Sequence, residues 1–240
     1  MTRLSDIWVY LATTPLLGLT ITLLAYIAGD WIYRRAGMQP LLNPVLIAVL
    51  ALMAVLLATG TPYTTYFEGA QFVHFLLGPA TVALAVPLYF NLAKLRRLWL
   101  PLLGGLVVGS LTAAVSAVGI AWLFGGSRQT LLSLAPKSVT APVAMGIAEK
   151  LGGLPSLTAI LVISTGILGA VLGPVVLDLL RVRDQATRGF ALGVTSHGIG
   201  TARAFQESEQ AGAFSGLAMG LNALVTALLL PLLAHLVSFG

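Results

Sequence analysis

The chain has 240 residues, of which 58% are hydrophobic and 9% are charged, and its formal net charge is +5. An average soluble domain has roughly 25% charged residues, so this composition excludes a water-soluble globular protein and predicts a polytopic helical membrane protein. The absence of cysteine excludes disulfides, thiol catalysis and thiolate metal sites. The basic residues stand at the ends of apolar runs, which is typical of membrane orientation signals and not of nucleic-acid binding.

Apolar runs that approach or exceed the ~20 residues needed to cross a bilayer recur along the chain. They lie at about 7–28, 41–59, 72–92, 99–124, 154–180 and 211–237. A shorter run at 189–205, interrupted by glycines, raises the expected number of transmembrane helices to about seven. The first run is long enough to remain as a span, and its flanks lack the pattern of a cleaved signal peptide. We therefore predict a single all-α membrane domain over residues 1–240.

A long internal repeat is visible in the sequence. Residues 32–90 align with residues 147–205 without a gap. Matched identical residues include Ile32 and Ile147, Gly37 and Gly152, and Pro40 and Pro155. Duplicated membrane sequence is typical of transporters, in which the solute binds between the repeats. We predict one repeat over about 7–124 and a second over about 125–238.

The charges at the span ends differ between the two halves. In the first half, basic clusters follow the first and third apolar runs, whereas the matched second-half positions include Glu149 and Glu207. Because basic loops remain in the cytoplasm, this antisymmetry predicts that the repeats are inverted. The same rule predicts that Arg96 and Arg183 are cytoplasmic and that Ser208 lies outside.

The apolar segment 131–148 cannot cross the membrane once, because the span before it ends outside and the span after it must begin outside. Its centre, residues 136–142, has the sequence PKSVTAP. Two prolines in seven residues break a helix, and free backbone groups are tolerated at membrane depth only where they line a cavity. The sequence therefore predicts a re-entrant hairpin with this segment at its tip. The glycine-interrupted run 189–205 is the second discontinuous element.

Several ordered motifs resemble the LrgB/CidB family, also called the antiholin-like family, over nearly the whole chain. They are PKSVTAP at 136–142, GAVLGP at 169–174, SHGIGTA at 196–202, GAFSGLAM at 212–219, LGPAT at 77–81 and the pair Asn43-Pro44. The resemblance implies a multi-pass protein of the bacterial inner membrane, often partnered by a small LrgA/CidA-type membrane subunit. It also implies a relationship to the plastid glycolate/glycerate translocator, which fuses both parts, whereas the LrgA-like part is absent here.

Members of that family are described both as carriers of small carboxylates and as holin-like modulators of murein hydrolase release. We expect a carrier of small monocarboxylates such as glycolate, glycerate or pyruvate, because a duplicated core with a broken hairpin is more elaborate than a simple holin requires. The alternative is a holin-like or antiholin-like pore component or regulator of cell lysis. Proton coupling is expected over sodium coupling. We also expect a homo-oligomer, no nucleic-acid partner, no metal and no cofactor.

The hairpin tip supplies three of the expected substrate-binding residues. Lys137 is an ammonium within an apolar segment, where an isolated charge costs roughly 2.5–3.5 kcal/mol on insertion scales. Next to free backbone N–H groups, it favours an anion site over simple snorkelling to the interface. Ser138 and Thr140 add hydroxyl donors for a carboxylate, unless they bond to nearby carbonyls instead.

Four further residues complete the expected substrate site. Arg203 presents a forked guanidinium that matches a carboxylate, although an arginine near a span end is also a common interfacial anchor. Ser196 and His197 lie in the glycine-interrupted segment, and His197 is a candidate proton carrier or an ordinary helix–helix hydrogen-bonding residue. Asn43 precedes Pro44 and is alternatively the cap of a helix.

An enzyme is not expected. The pairs Lys137-Ser138 and Ser196-His197 join adjacent residues, which do not face each other on a helix, so neither directs a base at a nucleophile. The chain also has no HExxH motif and no phosphate-binding loop.

Overall fold

The computed structural model describes residues 15–39, 42–76, 79, 82–83 and 85–236. Regular structure in these residues is helical, with no strand. The helices are α1 (Pro15–Arg35), α2 (Pro44–Thr59), α3 (Tyr63–Phe75), α4 (Ala85–Phe90), α5 (Leu92–Leu123), α6 (Arg128–Leu134), α7 (Ala141–Leu151), α8 (Pro155–Leu179), α9 (Gln185–Glu207) and α10 (Glu209–Leu236).

Four helices in the described part of the chain are long and apolar enough to cross a membrane: α1, α5, α8 and α10. They support the prediction of a helical membrane protein. The expected number of about seven spans is not confirmed, because α2 is apolar but has only 16 residues. The predicted span 72–92 contains the end of α3 at Phe75 and the separate helix α4. Residues 7–14 of the first predicted span lie outside the described residues.

The chain forms two compact units, Met1–Ala83 and Leu84–Gly240. In the first unit, α1 packs against α2 and α3. The hydroxyls of Thr22 in α1 and Tyr66 in α3 are 2.7 Å apart and share a hydrogen bond. Gly18 lies against the carbonyl of Tyr66, where a side chain would not fit. This unit is therefore a small helical bundle that depends on close approach at a glycine.

In the second unit, α9 folds back on itself. His197 has φ 43° and ψ −132°, which breaks the helix into residues 185–196, here α9a, and residues 198–207, here α9b. In a straight helix the Cα atoms of Arg188 and Glu207 would be about 28 Å apart. Instead, Arg188 Nε lies 2.8 Å from Glu207 Oε2. The element is thus a helical hairpin with His197 at its tip.

This hairpin corrects the predicted topology. The side chains of Ser208 and Gln185 are joined by a hydrogen bond of 3.1 Å, so the chain leaves α9 at the end where it entered. The expectation that 189–205 crosses the membrane and delivers Ser208 to the side opposite Arg183 is wrong. The physical reason is the reversal at His197, whose positive φ turns a segment of nearly spanning length into two half-length helices.

The corrected topology predicts a labelling pattern in this cysteine-free chain. Cysteines introduced as Arg183→Cys and Ser208→Cys should react with impermeant thiol reagents from the same side of the membrane. The control is Arg128→Cys, which should react from the other side because α5 lies between Lys94 and Arg128. Labelling of positions 183 and 208 from opposite sides would contradict the folded-back α9.

The second broken element was predicted from its prolines. Helix α6 ends at Leu134 and α7 begins at Ala141, and residues 135–140 between them form turns. The predicted helix break at 136–142 is therefore confirmed, and its re-entry into a membrane stays a prediction. Ser133 fixes this hairpin to the start of α8, because its hydroxyl accepts a 2.8 Å hydrogen bond from Leu154 N.

The two hairpins approach from opposite ends of α8. The α6–α7 hairpin is held at the start of α8, where Thr158 Oγ1 also donates to Ser133 O at 3.0 Å. The α9 hairpin is held at the end of α8, where Arg188 Nη1 lies 2.6 Å from Asp178 Oδ1. The α6–α7 hairpin and the α9 hairpin therefore place their helix breaks, at residues 135–140 and at His197, inside the second compact unit. The inverted relationship of the two sequence repeats stays a prediction.

Candidate functional site

The tips of the two hairpins meet beside Val162 of α8. Val139, from the turn between α6 and α7, packs with Val162 and Ala144 in one buried cluster. From the other hairpin, His197 Nε2 lies 3.0 Å from Val162 O. This point is about 10 Å along α8 from its first residue, at 1.5 Å per residue. We refer to Lys137, Ser138, His197 and Asn222, together with Ser196, which precedes His197 and packs against Gly169, as the tip site.

Asn222 of α10 joins both hairpin tips through one side-chain amide. Its Nδ2 donates to Ser138 O at 3.1 Å and to Val194 O at 2.9 Å. Its Oδ1 accepts a hydrogen bond from Ser110 Oγ of α5 and a longer one, 3.4 Å, from Thr226 Oγ1. The Asn222 side chain is 1% exposed, so these protein partners satisfy its amide in place of hydrogen bonds to water. One residue therefore connects α5, α10 and both breaks.

The backbone of His197 is held in an unusual conformation. A positive φ in a residue other than glycine costs of order 1–3 kcal/mol and persists only where the surroundings enforce it. Here the ring bonds to Val162 O, and Thr201 Oγ1 donates to His197 O at 2.9 Å. Thr201 is in turn 3.0 Å from the hydroxyl of Ser215 in α10. Such enforced strain is a feature of functional sites.

Lys137 is the cation of the tip site. Its Nζ donates to Ser138 Oγ at 3.3 Å, and the side chain is half-buried. Asn222, which bonds to the carbonyl of the next residue, Ser138, links the turn that carries Lys137 to the α9 hairpin. Among the residues that the structure describes, Lys137 forms no ion pair with a carboxylate. A sequestered ammonium without a protein counter-ion favours binding of an anion.

Helix dipoles add to the positive character of the tip site. Both α7 and α9b begin there, so the partial positive charge of each helix N-terminus points towards Lys137 and Ser196. Thr140 occupies the N-cap position of α7 without a side-chain cap bond. The first-turn N–H groups of α7 therefore receive no bond from that hydroxyl.

Glycines of α8 allow the α9 hairpin to approach closely. A Cβ atom at Gly169 would overlap the hydroxyl of Ser196, and one at Gly166 would lie 2.7 Å from the His197 ring. A Cβ at Gly173 would press on Leu192 at 2.6 Å. These glycines therefore serve close packing of α8 against the α9 hairpin.

The structure brings four of the seven predicted site residues together and gives the others different places. Lys137, Ser138, Ser196 and His197 lie in the tip site, with Ser196 completely buried. Thr140 lies at the edge of the same turn, at the start of α7. Arg203 lies at the base of the α9 hairpin, and Asn43 lies at the start of α2.

Arg203 of α9b lines an open cleft of about 410 Å³ at the base of the α9 hairpin. Its Nη1 donates to Gln206 Oε1 at 3.1 Å. The other charged and amide residues of the cleft are Asp178, Arg183, Gln185, Arg188 and Glu207. The prediction that one site contains both Arg203 and Lys137 is therefore not supported by this geometry.

Asn43 lies in the first unit and caps α2. Its Oδ1 accepts hydrogen bonds from Val45 N at 2.8 Å and from Leu46 N at 3.3 Å, and Pro44 occupies the first helical position. These are the features of an N-cap, so the alternative interpretation of Asn43 as a capping residue is confirmed. Its place in a substrate site stays a prediction.

Ion pairs close the base of the α9 hairpin. Arg188, with a side chain 9% exposed, bonds to Glu207 through two nitrogens and to Asp178 through a third contact. Lys94 of α5 donates to Asp184 Oδ1 at 2.7 Å, and Asp184 Oδ2 accepts a bond from Thr187 N as the N-cap of α9. The Lys94 hydrogen bond holds the pKa of the Asp184 carboxyl below its usual range. These ion pairs and hydrogen bonds hold both the start of α9, at Asp184, and its end, at Glu207.

The predicted site omitted Asn222 and Ser110. Each is a polar residue in the middle of an apolar run, and the structure buries both and bonds them to each other. A polar side chain deep in a span is rare enough to indicate function or helix association, which is the signal that would have identified them. In the described residues, no group of three or more histidine, aspartate or glutamate side chains is placed to hold a metal ion.

Comparison with known proteins identifies relatives across nearly the whole chain. A family model described as the LrgB-like family matches residues 22–236. YxaC of Bacillus subtilis is 39% identical over 216 residues, which cover 90% of this chain and 94% of YxaC. No solved structure matches the chain.

Two further relatives have names that refer to holins. A protein of Staphylococcus epidermidis named Holin-like protein CidB is 34% identical over 224 residues, which cover 93% of this chain and 96% of the relative. A protein of Bacillus mycoides named Antiholin-like protein LrgB is 29% identical over 219 residues, which cover 91% and 95% of the two chains. The matched length agrees with the extent of the motifs found in the sequence.

Proposed function

Because this chain belongs to the LrgB-like family, we propose that it is a membrane carrier of small monocarboxylates of the glycolate, glycerate or pyruvate kind. One observation carries the proposal: two helix breaks meet around an ammonium that has no carboxylate partner among the described residues. Discontinuous helices that meet inside a membrane domain are a common way to build a solute site.

The chemistry of the tip site suits a small carboxylate. The Lys137 ammonium supplies charge, and the starts of α7 and α9b supply partial positive charge. Ser138 supplies a hydroxyl beside the Lys137 ammonium, and Ser196 is the buried hydroxyl of the opposite hairpin, packed against Gly169. A hydroxy or keto acid offers a carboxylate for the ammonium and a second oxygen for a hydroxyl, so both ends of such a solute are matched.

The proposal extends to coupling, location and partners. His197 lies at the tip of the α9 hairpin, where its ring bonds to Val162 O, and a histidine is a side chain that can carry a coupling proton. We place the protein in the bacterial inner membrane as a homo-oligomer or with an LrgA/CidA-type subunit, as its family membership suggests. It requires no catalytic step, metal or cofactor.

A second function is favoured by the names of the relatives. Holin-like protein CidB and Antiholin-like protein LrgB point to a pore component or a regulator of murein hydrolase export more directly than to a carrier. A pore passes solutes of many kinds, whereas a carrier saturates and selects. The two functions therefore differ in a property that can be measured on purified protein.

The test is flux in proteoliposomes that contain the full chain. A carrier should give saturable uptake of labelled glycolate that unlabelled glycerate or pyruvate competes with, while a trapped neutral dye is retained. Rapid dye loss together with unsaturable glycolate flux would support the holin-like function and contradict the carrier. Addition of an LrgA-type subunit to the same vesicles tests whether the partner is needed.

Substitution of Lys137 should weaken carboxylate binding strongly. Loss of a hydrogen bond to a charged group costs roughly 1.5–3 kcal/mol, so Lys137→Ala should raise the dissociation constant for glycolate about tenfold or more. The measurement is a binding titration on purified protein, with circular dichroism to verify the fold. The matched control is Lys150→Ala, which removes an exposed ammonium from the end of α7 in the same hairpin. Equal affinity in the two variants would make Lys137 a snorkelling residue.

A further inference from the structure

Four exposed arginines lie on two stretches of the chain that meet where α9 begins. They are Arg96, Arg97, Arg181 and Arg183, which we call the arginine rim. The first two belong to the first turns of α5, and the last two belong to the loop between α8 and α9. The two stretches are joined by Lys94 and Asp184, whose Nζ and Oδ1 atoms are 2.7 Å apart although the residues are 90 positions apart in the chain. The rim is therefore assembled by the fold and is not one sequence motif.

The rim arginines have no protein partner in the described part of the chain. No ion pair or side-chain hydrogen bond joins any of the four to another described residue. The carboxylates at the base of the α9 hairpin already bind Lys94 or Arg188. Glu209, at the start of α10, is exposed and forms no ion pair with a described residue. Four guanidinium groups exceed this one free carboxylate, so the rim has an excess of positive charge.

The length of α5 places the rim at the level of lipid headgroups. Helix α5 has 32 residues, or about 48 Å at 1.5 Å per residue, whereas the hydrocarbon core of a bilayer is about 30 Å thick. The apolar part of α5 begins after Arg97, so the charged first turns extend beyond the hydrocarbon. Trp99 follows with a side chain 52% exposed, and tryptophan is enriched at the boundary between hydrocarbon and headgroups. The loop arginines come directly after the apolar run of α8 and reach the same level.

Arg97 is the rim residue of α5 that lies on the side of the loop. It follows Lys94 by three positions, and residues at that spacing share one face of a helix. Because Lys94 contacts Asp184, Arg97 lies on the face of α5 that is turned towards Arg183. Arg96 projects from a direction about 100° away. An anion between Arg97 and Arg183 would therefore contact both α5 and the loop.

We propose that the arginine rim binds the phosphodiester headgroup of an anionic phospholipid, which bridges α5 and the loop before α9. A guanidinium offers a planar fork of N–H donors that fits two oxygens of one phosphate. The bilayer supplies such phosphates at the level of the rim, so the site needs no enclosed cavity. The bound lipid holds the loop against α5 beside the Lys94–Asp184 contact and thereby supports the start of α9. This binding does not depend on the proposed transport of carboxylates.

Tryptophan fluorescence of the full chain in vesicles tests the lipid site. Trp99 lies two positions after Arg97, and Trp122 lies near the other end of the same helix with a side chain 63% exposed. Two proteins each keep one of these tryptophans, with the others replaced by phenylalanine. In phosphatidylcholine vesicles, a small fraction of brominated phosphatidylglycerol should quench Trp99 more than the same fraction of brominated phosphatidylcholine. Trp122 should be quenched nearly equally by the two lipids.

Neutral substitutions in the rim should remove the preference of Trp99 for the anionic quencher. A basic residue near the membrane surface contributes about 1 kcal/mol to the binding of anionic lipid, so Arg97→Gln and Arg183→Gln should each lower the local excess of phosphatidylglycerol about fivefold. The double variant should lower it by less than the product of the single effects, because either change already breaks the bridge. Arg128→Gln is the matched control, since it removes an exposed arginine beyond the other end of α5.

Equal quenching of Trp99 by the two brominated lipids would overturn the proposal and leave the rim to an acidic segment of a protein partner. An equal effect of Arg128→Gln and Arg183→Gln would also overturn it, and independent effects of Arg97→Gln and Arg183→Gln would contradict the bridge. Arg181→Gln replaces Arg183→Gln if the latter lowers the unfolding temperature. These measurements contain no transported solute, so failure of the carrier proposal would leave their outcome unchanged.

Discussion

Replacement of Arg188 by alanine is expected to destabilise the protein by about 3 kcal/mol or more. The substitution leaves the Glu207 carboxylate, with a side chain 11% exposed, as a buried charge without its partner. Removing one member of a buried ion pair costs about 3–5 kcal/mol, because the other member keeps its desolvation penalty. The measurement is unfolding of the purified protein in mixed micelles titrated with dodecyl sulfate.

Two further variants identify the cause of that loss. Asp178→Asn should cost under about 1 kcal/mol, since the Asp178 side chain is 70% exposed and its ion pair with Arg188 is screened by solvent. The double variant Arg188→Met, Glu207→Leu should regain most of the stability, because no buried charge is left without a partner. A stability of Arg188→Ala equal to that of Asp178→Asn would show that α9 is not closed by the Arg188–Glu207 pair.

Substitution of Asn222 should remove transport together with part of the stability. Asn222→Ala deletes four hydrogen bonds that connect α5, α10 and both hairpin tips. Side-chain hydrogen bonds between membrane helices average about 0.6 kcal/mol, so a loss of about 2 kcal/mol is expected in the same unfolding titration. Glycolate uptake should be lost, since the Lys137 and His197 turns no longer share a common support.

The controls for Asn222 separate its two functions as acceptor and donor. Asn222→Asp keeps the acceptor for Ser110 but presents a carboxylate to the carbonyls of Ser138 and Val194, so it should be as damaging to uptake as alanine. Thr226→Val removes only the 3.4 Å contact on the same helix and should leave uptake nearly unchanged. Normal uptake by Asn222→Ala would contradict the proposed coupling of the hairpins.

The features that the sequence predicts correctly have local physical causes. The break between α6 and α7 follows from two prolines within seven residues, and no tertiary information is needed to infer it. The long apolar helices follow from composition in the same way. Lys137 and His197 stand out by a local signal too, since each is a polar group in apolar or glycine-interrupted sequence. Their role in a substrate site stays a prediction.

The features that the sequence does not predict depend on contacts between distant residues. Helix α9 has 23 residues, a length suited to one crossing, and no proline marks its reversal. The reversal is stabilised by the Arg188–Glu207 pair and by the packing of Ser196 against Gly169, which local sequence does not reveal. Arg203 lies at the base of the hairpin and not at its tip for the same reason, because a straight segment and a folded one put it in different surroundings. Its place in a substrate site stays a prediction.

The two half-length hairpins also set the order in which the chain can be assembled during synthesis. The α6–α7 hairpin leaves the ribosome before α8, the helix that holds Ser133 and packs on Val139. Neither α7 nor α9a alone is long enough to be released into lipid as a span, since about 20 apolar residues are required. Their final placement therefore follows the arrival of α10, whose Asn222 bonds to both hairpins. Truncation of the chain before residue 222 would leave both hairpins without their common anchor, so a nascent chain acquires its site only after α10 has been translated.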